Sequence, residues 1–430
     1  MEKVIKNKKT FLILSLCCIV ALVATLAACA PAADDGANTG QNTSSGEEPK
    51  TEEVKEAPEP DDFGVITAEA WGEVYPDIYA SYEDNLDNAP GSGKHDYLEL
   101  YPAIKTLYAG FGFSKGYDEA ASHLYTLESV SSTPRVGDAT LANCLTCKSP
   151  QYTALVNKNG DGEYAKPFAD TLAMLNEPVS CYNCHENDVT SLTLTHKYFE
   201  AGMGSDGSKV PMGAQVCGQC HNEYHFNPDS KATTLPYTGL AEMTPEKMLA
   251  FYDDMNFKDW EYPTTLTPML KVQHPEFETI YGGDTMSNMA KQGYSCSDCH
   301  MGSATSKDGE EYTSHNWTSP LENKELLESK CKSCHDDLKS EVAAWQKESE
   351  ERVQSISLKL EEMVNKMVEQ VEAGTLTGDK LAELQTLHRS AQWYWDFVMV
   401  ENSEGAHNPD FSNATLDKAE ELVDQALAML

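Results

Sequence analysis

No cysteine in this chain is left over for a disulfide. Of the 13 present, Cys17 and Cys18 sit inside an N-terminal apolar run and Cys29 directly follows it. The other ten fall into five C-x-x-C pairs. Positive charge is also scarce, with 32 Lys and Arg against 69 Asp and Glu, which excludes the electrostatic footprint of a nucleic-acid binder. A field of that sign repels small anions at long range, so any anion site in this protein must be locally positive. Beyond the first sixty or so residues there is no second linker-like shift in composition, which argues for one domain rather than several.

What is present begins with Lys3, Lys6, Lys8 and Lys9 ahead of the apolar run from Phe11 to Ala28, the pattern of a bacterial export signal. The length of that run would also suit a membrane-spanning anchor. Its ending, Leu26-Ala27-Ala28-Cys29, instead resembles a lipoprotein signal in which the cysteine is acylated. Residues 1–28 are therefore expected to be a signal peptide and Cys29 a lipid site holding the protein at the outer face of the cytoplasmic membrane. Residues 29–62 are rich in Ala, Gly, Ser, Thr, Pro and acidic side chains and read as a disordered tether. Loss of residues 1–28 removes Glu2 and four lysines, leaving 28 basic against 68 acidic residues and a net charge of −40. The body spans residues 63–430.

Four of the pairs are followed at once by histidine: Cys181-Tyr182-Asn183-Cys184-His185, Cys217-Gly218-Gln219-Cys220-His221, Cys296-Ser297-Asp298-Cys299-His300 and Cys331-Lys332-Ser333-Cys334-His335. This is the c-type haem attachment motif. Thiols three residues apart on a helical turn reach the two vinyl groups of one porphyrin, and the next side chain lies under the iron as an axial ligand. Zinc also uses C-x-x-C units, but it pairs them and does not require a histidine after each one. The fifth pair, Cys144-Leu145-Thr146-Cys147, is followed by Lys148. A lysine amine binds iron only after losing its proton, which the metal must displace. Five covalent haems are expected, one of them set apart by its ligand.

Four C-x-x-C-H sites preceded by one C-x-x-C-K site resemble the ammonia-forming pentahaem cytochrome c nitrite reductases. The likeness covers the body and includes Leu107 to Phe113, Gln219 to Tyr224, Lys271 to Glu276, Tyr312 to His315, Ala391 to Asp396 and His407 to Pro409. The resemblance implies that Lys148 marks the reaction haem, where nitrite is reduced to ammonium with six electrons, and that hydroxylamine and nitric oxide are reducible too. It implies a distal pocket of Arg135, Tyr224 and His274. Arg135 offers a permanently charged fork of donors, and His274 and the Tyr224 hydroxyl can donate protons. It also implies one calcium ion, held by the Glu223 carboxylate, the Gln273 amide oxygen and the backbone carbonyls of Tyr224 and Lys271, a hard oxygen set. A membrane quinol dehydrogenase is the implied electron donor. The competing reading is an electron carrier whose five irons are all six-coordinate, and Lys148 is the residue that tells against it.

By the same resemblance, His123, His315 and His407 are distal ligands for the third, second and fourth motifs in chain order. The fifth motif should draw a histidine from the position that Met289 occupies. Met289, or else His95, His196 or His225, is expected to complete that haem. His388 is read as a solvated helix residue.

The fold class is expected to be mainly α, a multihaem cytochrome c fold with a haem-packed core and long C-terminal helices. From Val342 through Trp345, Ser349, Val353, Ile356, Leu360 and Met363 to Met367, apolar positions recur at spacings of three and four. Gly374 is a stop and Asp379 a cap for the next helix, and a third helix runs from about Asn413. The resemblance implies a homodimer formed through this helical region, 337–430.

Overall fold

The computed structural model describes residues 55–90, 96–119 and 121–430. Lys55–Leu430 make one unit. The signal, Cys29 and the tether up to residue 54 lie outside the described residues, but residues 55–62, expected to be the end of that tether, belong to the body: Asp61 accepts from Phe63 N, Val65 N and Gln151 Nε2 at 2.8–3.0 Å, which fixes this stretch on the fold. Helices dominate. Three two-stranded antiparallel ribbons supply the strand content: β1 (His225–Phe226) with β2 (Thr233–Thr234), β3 (Trp260–Glu261) with β4 (Pro268–Met269), and β5 (Ser303–Thr305) with β6 (Glu311–Thr313). Of the helices, those that position the site are α1 (Cys181–His185), α2 (Met212–Gly218), α3 (Pro245–Asp254), α4 (Glu276–Tyr281) and α5 (Cys296–His300). Three long C-terminal helices complete the set: α6 (Leu338–Glu372), α7 (Gly378–Met399) and α8 (Pro409–Met429).

The short attachment helices start for a local reason. In α1, Ser180 and Asn183 form a reciprocal capping box, and in α5 Ser295 and Asp298 do the same. Each box satisfies the free backbone N–H groups of a one-turn helix, which could not otherwise hold its shape. In α2 the constraint is steric. A Cβ at Gly218 would collide with the Phe277 ring, so only glycine lets the third motif pack against α4.

An apolar core forms around α7, whose residues from Leu387 to Met399 are buried on nearly every side. The face of α6 from Ser349 through Val353, Ile356, Leu360 and Met363 to Met367 is buried within the same chain. Gly374, with φ +71°, follows α6 as anticipated. Two boundaries differ. Thr377 caps α7, leaving Asp379 inside its first turn. α8 begins at Pro409, not near Asn413, because the Asn408 side chain accepts from Phe411 N and proline fits the first helical position. His388 is fully buried rather than solvated. Its ring lies against Tyr262 and within 3.3 Å of Thr267 Oγ1 and Gln392 Oε1.

Candidate active site

The first motif starts in a 3-10 turn, Ala142–Leu145, and after Cys147 Lys148 leads into the helix Pro150–Asn159. The Lys148 carbonyl accepts from Thr126 Oγ1 at 2.8 Å, tying this loop to the segment that carries His123. His196, which no motif distinguished, is buried against the same loop. Its Nε2 stands 2.9 Å from Thr146 O and its Nδ1 3.2 Å from Thr195 Oγ1. It thereby packs the first motif on the third, where ligand atoms of Cys147, His196 and Cys220 lie within 4.8 Å of one another. His196 is therefore engaged between the first and third motifs, and His225 is enclosed by Phe251, Tyr252 and Phe257.

Arg135 and Tyr224 lie within electrostatic reach of the Cys144–Cys147 thiols, and His274 within reach of Lys148. The Arg135 guanidinium covers the Phe113 ring at 4.5 Å and donates from Nη1 to Gly116 O at 3.0 Å. Arg135 keeps an exposed surface, and the charged groups within its reach are Tyr117, Asp118, Tyr224 and Cys144. Tyr224 is pushed well above the usual tyrosine value by burial, with Cys147 and Cys144 next. Burial holds His274 down at about 4, with the charges of His221 and Lys148 adding to the effect. A cavity of about 480 Å³ opens behind the loop, lined by Thr146, His196, Tyr198 and Tyr237 and not by these three residues.

Behind the pocket sits a buried oxygen-rich nest. Glu223 is not the surface carboxylate that a lone glutamate usually is. It is 1% exposed. Its Oε2 accepts from Gln273 N at 2.6 Å and its Oε1 from Tyr252 Oη at 2.9 Å. Burial pushes its pKa well above the ordinary carboxylate range. The Gln273 amide lies 3.1 Å from the Lys271 carbonyl, and because amide oxygen and nitrogen are interchangeable in shape, a flip presents oxygen there. A buried carboxylate, a carbonyl and an amide oxygen suit calcium.

The histidines fit haem. Two imidazoles that ligate one iron from opposite faces, each through a bond of about 2 Å, have ring centres roughly 6 Å apart. The His185 and His315 rings are 6.4 Å apart and His300 and His407 6.1 Å, while His221 stands 6.2 Å from His123 and 6.1 Å from His274, so that the family resemblance rather than spacing assigns His123 to it. In each pair one ring follows a C-x-x-C motif and the other comes from a distant segment. All ten cysteines are free thiols, as thioether formation requires. Thiols of different motifs lie close together, Cys147 of the first with Cys220 of the third, and Cys217 of the third with Cys296 of the fourth. His335 is the exception. Among the described residues no second histidine ring faces it, and Met289, on the short helix Asn288–Lys291, is 40% exposed. His95 lies outside the described residues.

The cytochrome c552 family profile matches residues 67–430. The cytochrome c nitrite reductase subunit NrfA of Nitratidesulfovibrio vulgaris is 32% identical over 416 residues, covering 84% of this chain and 78% of that protein. Cytochrome c-552 of Aliarcobacter butzleri is 31% identical over 356 residues, with coverage of 75% and 68%. Among solved structures, the cytochrome c nitrite reductase of Desulfovibrio desulfuricans, whose catalytic subunit has two calcium sites, matches with a TM-score of 0.74 and 26% identity. That match covers 84% of this chain and 85% of the other.

Proposed function

The chain belongs to the cytochrome c552 family, and from that premise we infer that it reduces nitrite to ammonium at the haem whose attachment motif ends in Lys148. The reading is carried by the single C-x-x-C-K site, Cys144–Lys148, in a chain 32% identical over 416 residues to a cytochrome c nitrite reductase subunit. Haems bound at the five motifs would supply the redox chemistry, and the overall conversion consumes six electrons and eight protons per nitrite to give ammonium and two waters.

The chain's own groups bind, orient and protonate. The Arg135 guanidinium holds nitrite oxygens and supplies local positive charge in a strongly acidic molecule. The His274 ring donates a hydrogen bond to the same anion, and Tyr224 Oη stands ready to donate as N–O bonds break. Glu223, Gln273 and the carbonyls of Tyr224 and Lys271 would hold calcium, steadying the backbone that carries the Tyr224 hydroxyl. His185 with His315, His221 with His123, and His300 with His407 would hold relay haems. His335 would hold the last, with the Met289 thioether as its second ligand. A near-infrared charge-transfer band in the oxidised protein would mark that ligand pair, and its absence would remove Met289 from the role. Hydroxylamine and nitric oxide are further substrates.

The setting is proposed on the same footing. Acylated Cys29 tethers the enzyme to the outer face of the cytoplasmic membrane beside a quinol dehydrogenase. Among the described residues no helix is long and apolar enough to cross a membrane. A second copy docks on the helical region 337–430. Because the main apolar stripe of α6 is buried within the chain, the partner meets another face, where Leu358 is 51% exposed.

Electron paramagnetic resonance of the oxidised protein, with and without nitrite, tests the reading together with viologen-driven turnover. A high-spin ferric signal that nitrite perturbs, with ammonium produced, is the expected result. Five low-spin haems indifferent to nitrite, and no turnover, would leave an electron carrier.

A further inference from the structure

At five of the haem-facing histidines the second ring nitrogen is held in one of two ways, whereas at His221 the Nδ1 stands 3.6 Å from the buried Glu276 Oε2, beyond hydrogen-bond length. His185 Nδ1 lies 2.7 Å from Ser191 O, His315 Nδ1 2.9 Å from Thr313 O and His300 Nδ1 2.9 Å from Thr318 O. These acceptors are neutral carbonyls. His407 Nδ1 lies 2.6 Å from Glu401 Oε1, and His335 Nδ1 2.7 Å from Glu341 Oε2. These acceptors are carboxylates.

The two carboxylates differ in setting. Glu341 is 37% exposed in the first turn of α6, where water screens it. Glu401 is 2% exposed. Ser403 Oγ donates to its Oε2 at 2.5 Å, and the His407 backbone N–H donates to the same Ser403 oxygen at 2.8 Å. Acceptor, ligand and bracing hydroxyl thus form one closed unit, fixed before any metal is considered.

We propose that Glu401 is a potential-setting residue, lowering the reduction potential of the iron shared by His300 and His407 through its bond to the His407 ring. The proposal rests on the reading that those two histidines share one iron. An N–H that donates to a buried carboxylate shares its proton unequally, which leaves the opposite ring nitrogen a stronger electron donor to the metal. The one-electron step from Fe(III) to Fe(II) moves no proton and breaks no bond. A more basic ligand favours the higher charge, so the step occurs at a lower potential. Low local dielectric strengthens the effect at Glu401 compared with Glu341. Position gives this a use. Cys296 of the same motif touches Cys217 of the third motif, whose Cys220 touches Cys147 at the reaction haem. An iron of lowered potential at that place passes its electron toward the reaction haem rather than retaining it.

The test is a redox titration of the holoenzyme, with dithionite as reductant and ferricyanide as oxidant, followed by visible absorbance and by paramagnetic resonance of the low-spin signals. In Glu401→Gln one low-spin haem should titrate at a higher potential while the others, including the carbonyl-held pair His185 and His315, stay in place. Superimposable titrations would overturn the proposal. If Glu401→Gln does not retain all its haems, Ser403→Ala serves. Without the hydroxyl that shares its charge, Glu401 is a stronger acceptor and the same haem should titrate lower; no movement would equally overturn the proposal. His407→Ala separates the two layers. Retention of every low-spin signal there would refute the shared iron itself. Loss of one signal, with Glu401→Gln unmoved, would refute only the role of Glu401.

Discussion

Lys271 and Asp396 form an ion pair with Nζ and Oδ2 3.0 Å apart, both side chains almost entirely out of solvent. The Asp396 carboxylate also accepts from Val272 N at 2.8 Å, and Lys271 Nζ faces the Tyr108, Phe113 and Tyr117 rings. Through this pair α7 grips the strand end that carries Gln273 and His274. Burial lowers the lysine pKa and raises that of the aspartate, and their mutual attraction opposes both shifts.

Asp396→Asn should therefore be severe. It leaves a buried ammonium unpaired, which costs about 3–5 kcal/mol. A fall in thermal midpoint with loss of nitrite turnover is expected. A midpoint equal to the parent's would show that the pair does not brace the pocket.

Phe113 sits between Lys271 and Arg135, and its ring is the platform for the guanidinium. Phe113→Leu removes a cation–π contact of about 1 kcal/mol, a roughly fivefold loss of binding. KM for nitrite should rise by that factor with kcat little changed, and Phe113→Tyr should restore it. A fall in kcat at constant KM would place Arg135 elsewhere in the cycle.

Chelation tests the nest around Glu223. Treatment with a calcium chelator should lower turnover, with recovery on adding calcium back. Glu223→Gln should be impaired already and respond little to the chelator. Metal analysis of the untreated enzyme that finds no calcium would end this part of the account.

His388 predicts a pH dependence remote from the haems. Burial holds it at about 4, below the ordinary value of 6.5. The unfolded chain therefore takes up a proton that the folded one refuses, so stability is present above pH 6.5 and drains as pH falls toward 4. The loss reaches about 3 kcal/mol at most. The thermal midpoint should fall less steeply over that window in His388→Gln than in the parent. Parallel curves would mean that another group dominates.

How much of this was legible without a structure depends on how local each signal is. Two thiols and a ligand within five residues are set by the pitch of one helical turn, so the attachment motifs, and the odd one ending in Lys148, stand out in the chain itself. The stripe on α6 and the stop at Gly374 are local in the same sense. The capping boxes at Ser180 and Ser295 were equally local, but they use Asn183 and Asp298 in place of the usual longer side chains, and Asn408-Pro409 was not read as a helix start.

Other features have no local signature. His315 reaches His185, and His123 reaches His221, across long stretches of chain, and only a resemblance to a family nominated those partners beforehand. The burial of Glu223 and His388, the placing of His196 between two motifs, and the carboxylate behind His407 follow from how helices pack. The sequence by itself determined which residues could carry haem and which site would differ from the rest, because covalent attachment is a matter of spacing along the chain. Only the tertiary structure decided which histidine rings face each other and what stands behind them, because side-chain contacts between distant segments depend on packing, which spacing does not encode.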